Sequence, residues 1–279
     1  MAIQWYPGHM TRARRELGEL MPSQDVVIEV LDARMPAASA NPIVAELRGN
    51  KPCVKVLSKS DLADPAATEA WLAHFQRDPT VLAIATSLAK SGEAKSRIPG
   101  LCERLSQRTR GADKALRAVI TGIPNVGKSS LINTLMGRYV AAVSDKPAVT
   151  KEMQLVTLPS GMLLTDNPGL LWPKIQDDDA TMRLALGGAI PDTAIEYQTV
   201  GLFAAEYFVA RYPALLVARY KLKAPPTSGT ALLEEIGRRR GCLRAGGVVD
   251  LYKAADILVH EFRVGTLGRI SLELPPPEG

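Results

Sequence analysis

Gly122-Ile123-Pro124-Asn125-Val126-Gly127-Lys128-Ser129 fits the pattern G-x-x-x-x-G-K-[ST], and each fixed position has a chemical reason. The glycines let the backbone curl until its N–H groups converge on phosphate oxygens. Lys128 brings a cation to the outer phosphates of a nucleotide, and the Ser129 hydroxyl suits Mg2+. A helix starting here turns its positive dipole end toward the same anion. Asn125, Val126, Gly127, Lys128, Ser129 and Ser130 are therefore the candidate phosphate cradle, with Lys128 as its catalytic cation. The bland alternative is a glycine turn that only caps a helix.

Asp166-Asn167-Pro168-Gly169 lies downstream, after the apolar Met162-Leu163-Leu164. An Asp closing a strand beside a phosphate loop can hold Mg2+ through water, and the Gly169 N–H can meet a terminal phosphate and register its loss. Between the two motifs, Thr150 is the candidate for a threonine that closes on the metal. Ser58-Lys59-Ser60-Asp61 follows the apolar run Cys53 to Leu57 and so sits at a strand's C-terminal end, where open α/β sheets bind ligands. It resembles the N-K-x-D sequence with which GTPases read guanine: the Asp accepts from N1 and N2, and the Lys stem packs along the base. Ser58 stands where Asn is usual; a hydroxyl still donates one bond, while the missing amide leaves the loop looser or the guanine preference weaker. Thr86-Ser87 occupies the place of the short motif whose backbone N–H meets guanine O6. Without a phosphate loop, Ser58 to Asp61 would read as an Asp-capped helix start.

The elements that must position these residues are legible from hydrophobic pattern. Val26 to Leu31, Cys53 to Leu57, Val81 to Ala85 and Leu116 to Thr121 are apolar runs of strand length. Helical patterns separate them: Pro42 to Arg48, a helix opened by Asp64-Pro65 that runs through Trp71 and Phe75, and a basic helix near Ile98 to Arg108. Alternation of this kind predicts a mostly parallel sheet covered on both faces, an α/β fold. Beyond Trp172 three amphipathic helices follow, around Val200 to Phe208, Leu232 to Arg240 and Leu251 to Phe262, the last two stopped by Gly241 and Gly265. The expected division is a nucleotide-binding domain over residues 1–175, a small all-helical domain over 176–274 and a disordered Pro-rich tail over 275–279.

Composition bounds the rest. The chain has 279 residues, 46% apolar and 23% charged, which excludes fibrous and disordered classes for the bulk. No run approaches the roughly 18 apolar residues of a membrane helix, and Met1 to Leu20 has no apolar core of a secretory signal. Cys53, Cys102 and Cys242 follow no metal-ligand spacing and fit reduced thiols in the cytoplasm. The net charge of +5 lies wholly before Trp172, because 13 basic and 13 acidic residues cancel from there on. Much of the excess falls between Lys90 and Arg117, either a phosphate-binding footprint or a solvated face.

The order of the motifs is unusual: the base-side elements precede the phosphate loop, whereas in Ras-like proteins they follow it. A circular permutation gives the same sheet with relocated termini. Trp5-Tyr6-Pro7-Gly8-His9-Met10, Asp32-Ala33-Arg34-Met35-Pro36, Gly122 to Ser130 and Asp166 to Gly169, in this order, closely resemble the YlqF/RbgA family of circularly permuted ribosome-assembly GTPases. The resemblance spans essentially the whole chain, with Ser58 and Thr86 as the main departures. It implies a circularly permuted Ras-like P-loop GTPase domain, GTP and GDP as ligands, Mg2+ and in some relatives K+ as cofactors, and a maturing large ribosomal subunit whose RNA meets a helical C-terminal domain. A protein of this kind would be a monomer off the ribosome. Asn125 resembles the K+ ligand of potassium-activated relatives, against a turn-stabilising role. Leu170 stands where Ras-like enzymes carry a water-orienting Gln, so His9, in an N-terminal segment expected to be loose, is the candidate to position water; the alternative is a packing or RNA-contact role. Arg12, Arg14 and Arg15 with Trp5 and Tyr6, and Arg238, Arg239, Arg240 and Arg244, are candidate RNA contacts or solvated surface. Two rivals stand beside the GTPase switch: an RNA-binding assembly scaffold that hydrolyses little nucleotide, and a P-loop hydrolase of relaxed base choice.

Overall fold

The structure is a computed structural model, described for residues 8–87, 91–106, 114–141, 153–172, 175 and 177–277. Its centre is a sheet of six strands: β1 (Val26–Asp32), β2 (Cys53–Ser58), β3 (Val81–Ala85), β4 (Arg117–Thr121), β5 (Gln154–Thr157) and β6 (Leu163–Asp166), in spatial order β3-β2-β1-β4-β6-β5. All neighbours are parallel except β5, which runs antiparallel to β6 at the edge. Every residue of β1 is buried, as a strand covered on both faces requires. Glu29 survives inside it because the parallel register sets it opposite Lys55, whose ammonium it holds. β5 had no apolar run to announce it: three of its four residues are exposed.

The helices in the first half are α1 (Gly8–Leu20), α2 (Pro36–Ser39), α3 (Pro42–Arg48), α4 (Pro65–Phe75), α5 (Ser91–Ser106) and α6 (Lys128–Met136). Asn41 caps α3 by accepting from Ile43 N, and Asp64 caps α4 by accepting from Ala66 N and Ala67 N. The N-terminal segment is not loose from Gly8 onward. It is α1, which buries Met10, Ala13 and Leu17 at helical spacing, a stripe obscured in the sequence by the arginines between them. α5 begins at Ser91 rather than Ile98 and contains Pro99; Arg108 lies outside the described residues.

The second half holds α7 (Asp178–Leu186), α8 (Tyr197–Arg211), α9 (Pro213–Tyr220), α10 (Gly229–Arg240) and α11 (Leu251–Val264). α8, α10 and α11 are the three anticipated helices. They pack closely: a Cβ on Gly201 of α8 would collide with Ala255 of α11. α9 leaves α8 at 109°, and no single described helix is long and apolar enough to cross a membrane. Residues 266–277 add no further helix or strand, and 278–279 lie outside the described residues. One continuous set of buried apolar side chains runs from Val27 and Ile120 of the sheet to Leu184, Val200 and Leu258.

At the end of β1 the sequence Asp32-Ala33-Arg34 turns back on itself. Arg34 Nε and Nη2 donate to the two Asp32 carboxylate oxygens at 2.9 and 2.8 Å, and both side chains are 1% exposed. Lys59 Nζ lies 3.0 Å from the same carboxylate. Arg34 Nη1 donates to Phe262 O at 3.3 Å, and its guanidinium lies 4.5 Å from the centre of the Phe262 ring. Burial pushes the Asp32 carboxyl up, but Arg34 and Lys59 outweigh it and hold it well below the usual carboxylate range. A carboxyl depressed in this way adds stability that is full above its ordinary range and is lost as the pH falls below it. Asp32→Asn leaves the buried Arg34 charge without its bidentate partner and should cost about 3–5 kcal/mol in urea unfolding at neutral pH. The same variant should lose stability less steeply than the unmodified protein as acid is added below the carboxylate range.

Candidate functional site

The C-terminal ends of the parallel strands form one pole of the sheet, and the loops that leave it carry the motifs. β4 runs into Gly122, whose φ of 154° and position suit glycine alone, since a Cβ would lie 2.5 Å from Val30 O. Asn125 (φ 57°) and Gly127 (φ 100°) complete the curl before α6. Asn125 Nδ2 donates to Gly188 O at 2.9 Å, tying the loop to the turn after α7. Lys128 folds back over the loop, its buried Nζ 3.1 Å from Gly122 O and 3.0 Å from Ile123 O. Burial brings its ammonium down to about 8, opposed by the charge of Asp166. Ser129 and Ser130, in the first turn of α6, are half-buried, and Val126 is buried.

Asp166 ends β6 beside β4, paired in register with Ile120. Burial pushes its carboxyl up to about 6 against the attraction of Lys128. Its buried Oδ1 has no hydrogen-bond partner among the described residues, and the same is true of Thr121 Oγ1 and Asn167 Oδ1 beside it. Buried oxygens left unsatisfied beside the phosphate loop and its Lys128 fit a hydrated, hard cation such as Mg2+. Gly169 packs on the phosphate loop so closely that a Cβ would lie 3.0 Å from Pro124 Cα. Leu170 is fully buried, with its N–H on Gly122 O at 3.2 Å and its carbonyl accepting from Asn41 Nδ2 at 2.7 Å. Asn41 carried no signal in the sequence beyond that of a helix cap. Among the described residues no cluster of three or more His, Cys, Asp or Glu is placed to bind a metal; Cys53, Cys102 and Cys242 are all buried free thiols, and burial pushes Cys53 up to about 12.

The base-side motifs join the same pole. Ser58 ends β2 opposite Asp32 of β1. Its hydroxyl lies 2.5 Å from Val126 O and 2.9 Å from Leu31 O, so its one proton ties the strand end to the phosphate loop or to the neighbouring strand. Lys59 takes a left-handed conformation (φ 55°) with its ammonium on Asp32. Ser60 N donates to Thr86 O at 3.1 Å, which links this loop to Thr86 and Ser87 after β3, and Asp61 is exposed. Thr86 N is taken by Leu57 O at 2.8 Å.

Other anticipated residues fall elsewhere. His9 lies in the first turn of α1, its side chain outside the description, and Thr150 lies outside the described residues. The arginine clusters are not bare charge. Arg12, Arg14 and Arg15 face Glu16, Glu46 and Glu19 at 2.6, 3.7 and 3.8 Å. Arg238 and Arg239 pair with Glu234 and Glu235 at 2.7 and 3.1 Å. Arg240 joins Arg219 and Tyr220 on Glu261, an internal network of the helical part.

Comparison with known proteins places this architecture. Residues 117–195 match a family described as 50S ribosome-binding GTPase. Ribosome biogenesis GTPase A of Bacillus cereus is 40% identical over 286 aligned residues, covering 100% of this chain and 96% of that protein. The GDP-bound structure of YlqF superposes with a TM-score of 0.69 at 29% identity, covering 94% of this chain and 99% of that one. GNP-bound YlqF from T. maritima gives 0.65 at 28% identity, covering 96% and 100%. The strand that leads into the phosphate loop is fourth in the chain yet central in the sheet, with the base-side strands β2 and β3 before it in sequence and separated from it in space by β1 alone. By sequence along its whole length and by this permuted sheet, the chain belongs to the YlqF/ribosome biogenesis GTPase A family of circularly permuted P-loop GTPases.

Proposed function

We propose that this chain is a guanine-nucleotide switch that binds and hydrolyses GTP and uses the cycle to engage and leave the maturing large ribosomal subunit in the cytoplasm. One observation carries the reading: a phosphate loop, an Asp-x-Pro-Gly turn and a base-side loop, far apart in the chain, meet at one pole of one sheet, with Ser58 touching the phosphate loop itself. Lys128 exchanges the two carbonyls it contacts for the β and γ phosphates, and the N–H groups of residues 125–130 surround them. Ser129 and, through water, Asp166 would hold Mg2+, with Thr150 as a further ligand, and the bound ion would neutralise charge on the phosphates. Asn125, whose amide nitrogen donates to Gly188 O, would be the residue that holds K+. Gly169 N–H meets the γ phosphate.

Asp61 accepts from guanine N1 and N2, the Lys59 stem lies along the base, and Ser87 N–H faces O6, Thr86 N–H being already committed. Leu170 is sealed in the core, so the attacking water is positioned by His9 on α1. The ribosomal role named for the Bacillus cereus relative supports the partner. Arg12, Arg14, Arg15, Arg238, Arg239 and Arg240 trade carboxylates for rRNA phosphates, and residues 176–274 act as the RNA-binding domain of a protein that is monomeric off the ribosome.

GTP hydrolysis measured with and without purified large subunits tests the whole reading: turnover should rise with subunits, whereas negligible turnover in both would favour an RNA-binding scaffold. Lys128→Ala and Ser129→Ala should each abolish Mg2+-dependent hydrolysis, and unchanged rates in both would place the phosphates elsewhere. GTP should displace bound GDP where ATP does not, because losing the paired contact to Asp61 costs about 1–3 kcal/mol per unmade bond; equal competition would end the guanine assignment. His9→Ala should leave GDP affinity intact and cut subunit-stimulated turnover by about tenfold or more, seen also as longer residence of the GTP form on the subunit. Full stimulated turnover in His9→Ala would remove that role.

A further inference from the structure

Asp61 lies on a loop whose flanking peptides are held by the last segment of the chain. Arg269 Nη2 donates to Ser60 O at 2.9 Å, and its Nε donates to Ala63 O at 2.8 Å. Ile270 N donates to Leu62 O at 2.9 Å, and Ser271 Oγ accepts from Asp64 N at 3.1 Å. At Gly265, where α11 ends with φ 80°, the chain passes so close to Leu62 that a Cβ would lie 2.5 Å from Leu62 Cδ2. The carbonyls immediately before and after Asp61 are thus both fixed from one side, and Thr86 O holds Ser60 N from the other. The Asp61 carboxylate itself stays exposed. A rigid guanidinium fork can reach Ser60 O and Ala63 O together only while the loop keeps this curl.

We infer that Arg269 is a positioning residue for guanine selectivity: by spanning the carbonyls of Ser60 and Ala63 it sets the direction in which Asp61 presents its carboxylate to the base. The inference rests on the base-reading role proposed for Asp61. It assigns the sharpness of that reading to a residue at the far end of the chain, beyond all the nucleotide motifs. The phosphate loop is braced separately, by Ser58 and by Lys128 on Gly122 and Ile123, so its affinity for phosphates does not depend on Arg269. Arg269 is exposed beyond its two contacts, and truncating it leaves the core intact.

The test is calorimetric binding of GDP, IDP and inorganic tripolyphosphate to the full chain. IDP lacks the exocyclic amine, so the GDP-to-IDP affinity ratio reads one of the two Asp61 contacts; about tenfold is expected in the unmodified protein. Arg269→Ala should bring the ratio to within about twofold of unity while tripolyphosphate affinity stays within about twofold of the original. Arg269→Lys, which keeps one donor group without the fork, should retain an intermediate ratio. An intact ratio in a folded Arg269→Ala protein overturns the inference, as does an equal loss of tripolyphosphate affinity, the mark of a merely structural role. Should Arg269→Ala fail to fold, an undiminished ratio in Arg269→Lys overturns it instead. Asp61→Asn separates the two claims: if it leaves the ratio unchanged, the base-reading assignment has failed, and if it abolishes a ratio that Arg269→Ala preserves, only the inference has.

Discussion

The buried pair of Asp32 and Arg34 is the contact on which the rest of the arrangement depends. Taking two charges out of water is costly, and the cost is met only when nearly every polar atom has a partner. Asp32 meets that condition by accepting from the Arg34 side chain, from Arg34 N and from Lys59, while Arg34 also reaches Phe262 on α11. The pair therefore does more than add stability. It sets the end of β1, the lysine of the base-side loop and the last helix in one fixed relation, because any displacement would strand a buried charge.

From that fixed point the pole of the sheet assembles by hydrogen bonding between strands rather than by chain order. β1 lies between β2 and β4, so the base-side loop and the phosphate loop leave from positions on either side of Asp32. Ser58 closes the gap with a hydroxyl that contacts Val126 O. The residue that departs from the usual guanine motif thus still braces the phosphate loop, as a shorter side chain can when the backbones are close. A Cβ at Gly127 would lie 3.6 Å from Ser58 Cβ, which measures that proximity.

Electrostatics divide differently from the charge count. The arginines that read as clusters along the chain each find a carboxylate, several of them one helical turn away, and such exposed pairs exchange readily for other anions. The strained charges are inside. Lys128 and Asp166 are both driven by burial toward their neutral forms, and each is only partly relieved by the other. A site in this condition gains from a phosphate beside the ammonium and a cation beside the carboxylate, since each favours the charged form that burial disfavours.

Much of this was legible in the sequence because it is local. The phosphate loop, its lysine and serine, the four apolar strands and the Asp64-Pro65 and Gly241 helix boundaries each rest on residues within a few positions of one another. Their order along the chain was enough to signal a permuted sheet. Elements without a local signature went unread: β5 because an edge strand need not be apolar, and α1 because its buried stripe is interleaved with arginines. The sequence by itself determined which chemical groups are present and the strand or turn that each one ends. Only the tertiary structure decided that Asn41 would hold Leu170, that Arg34 would join Asp32 to Phe262 and that Arg269 would brace the loop of Asp61. Those contacts join residues remote in the chain through one or two directional bonds each, and no periodicity or spacing records a bond whose two ends are brought together only by the packing of the whole.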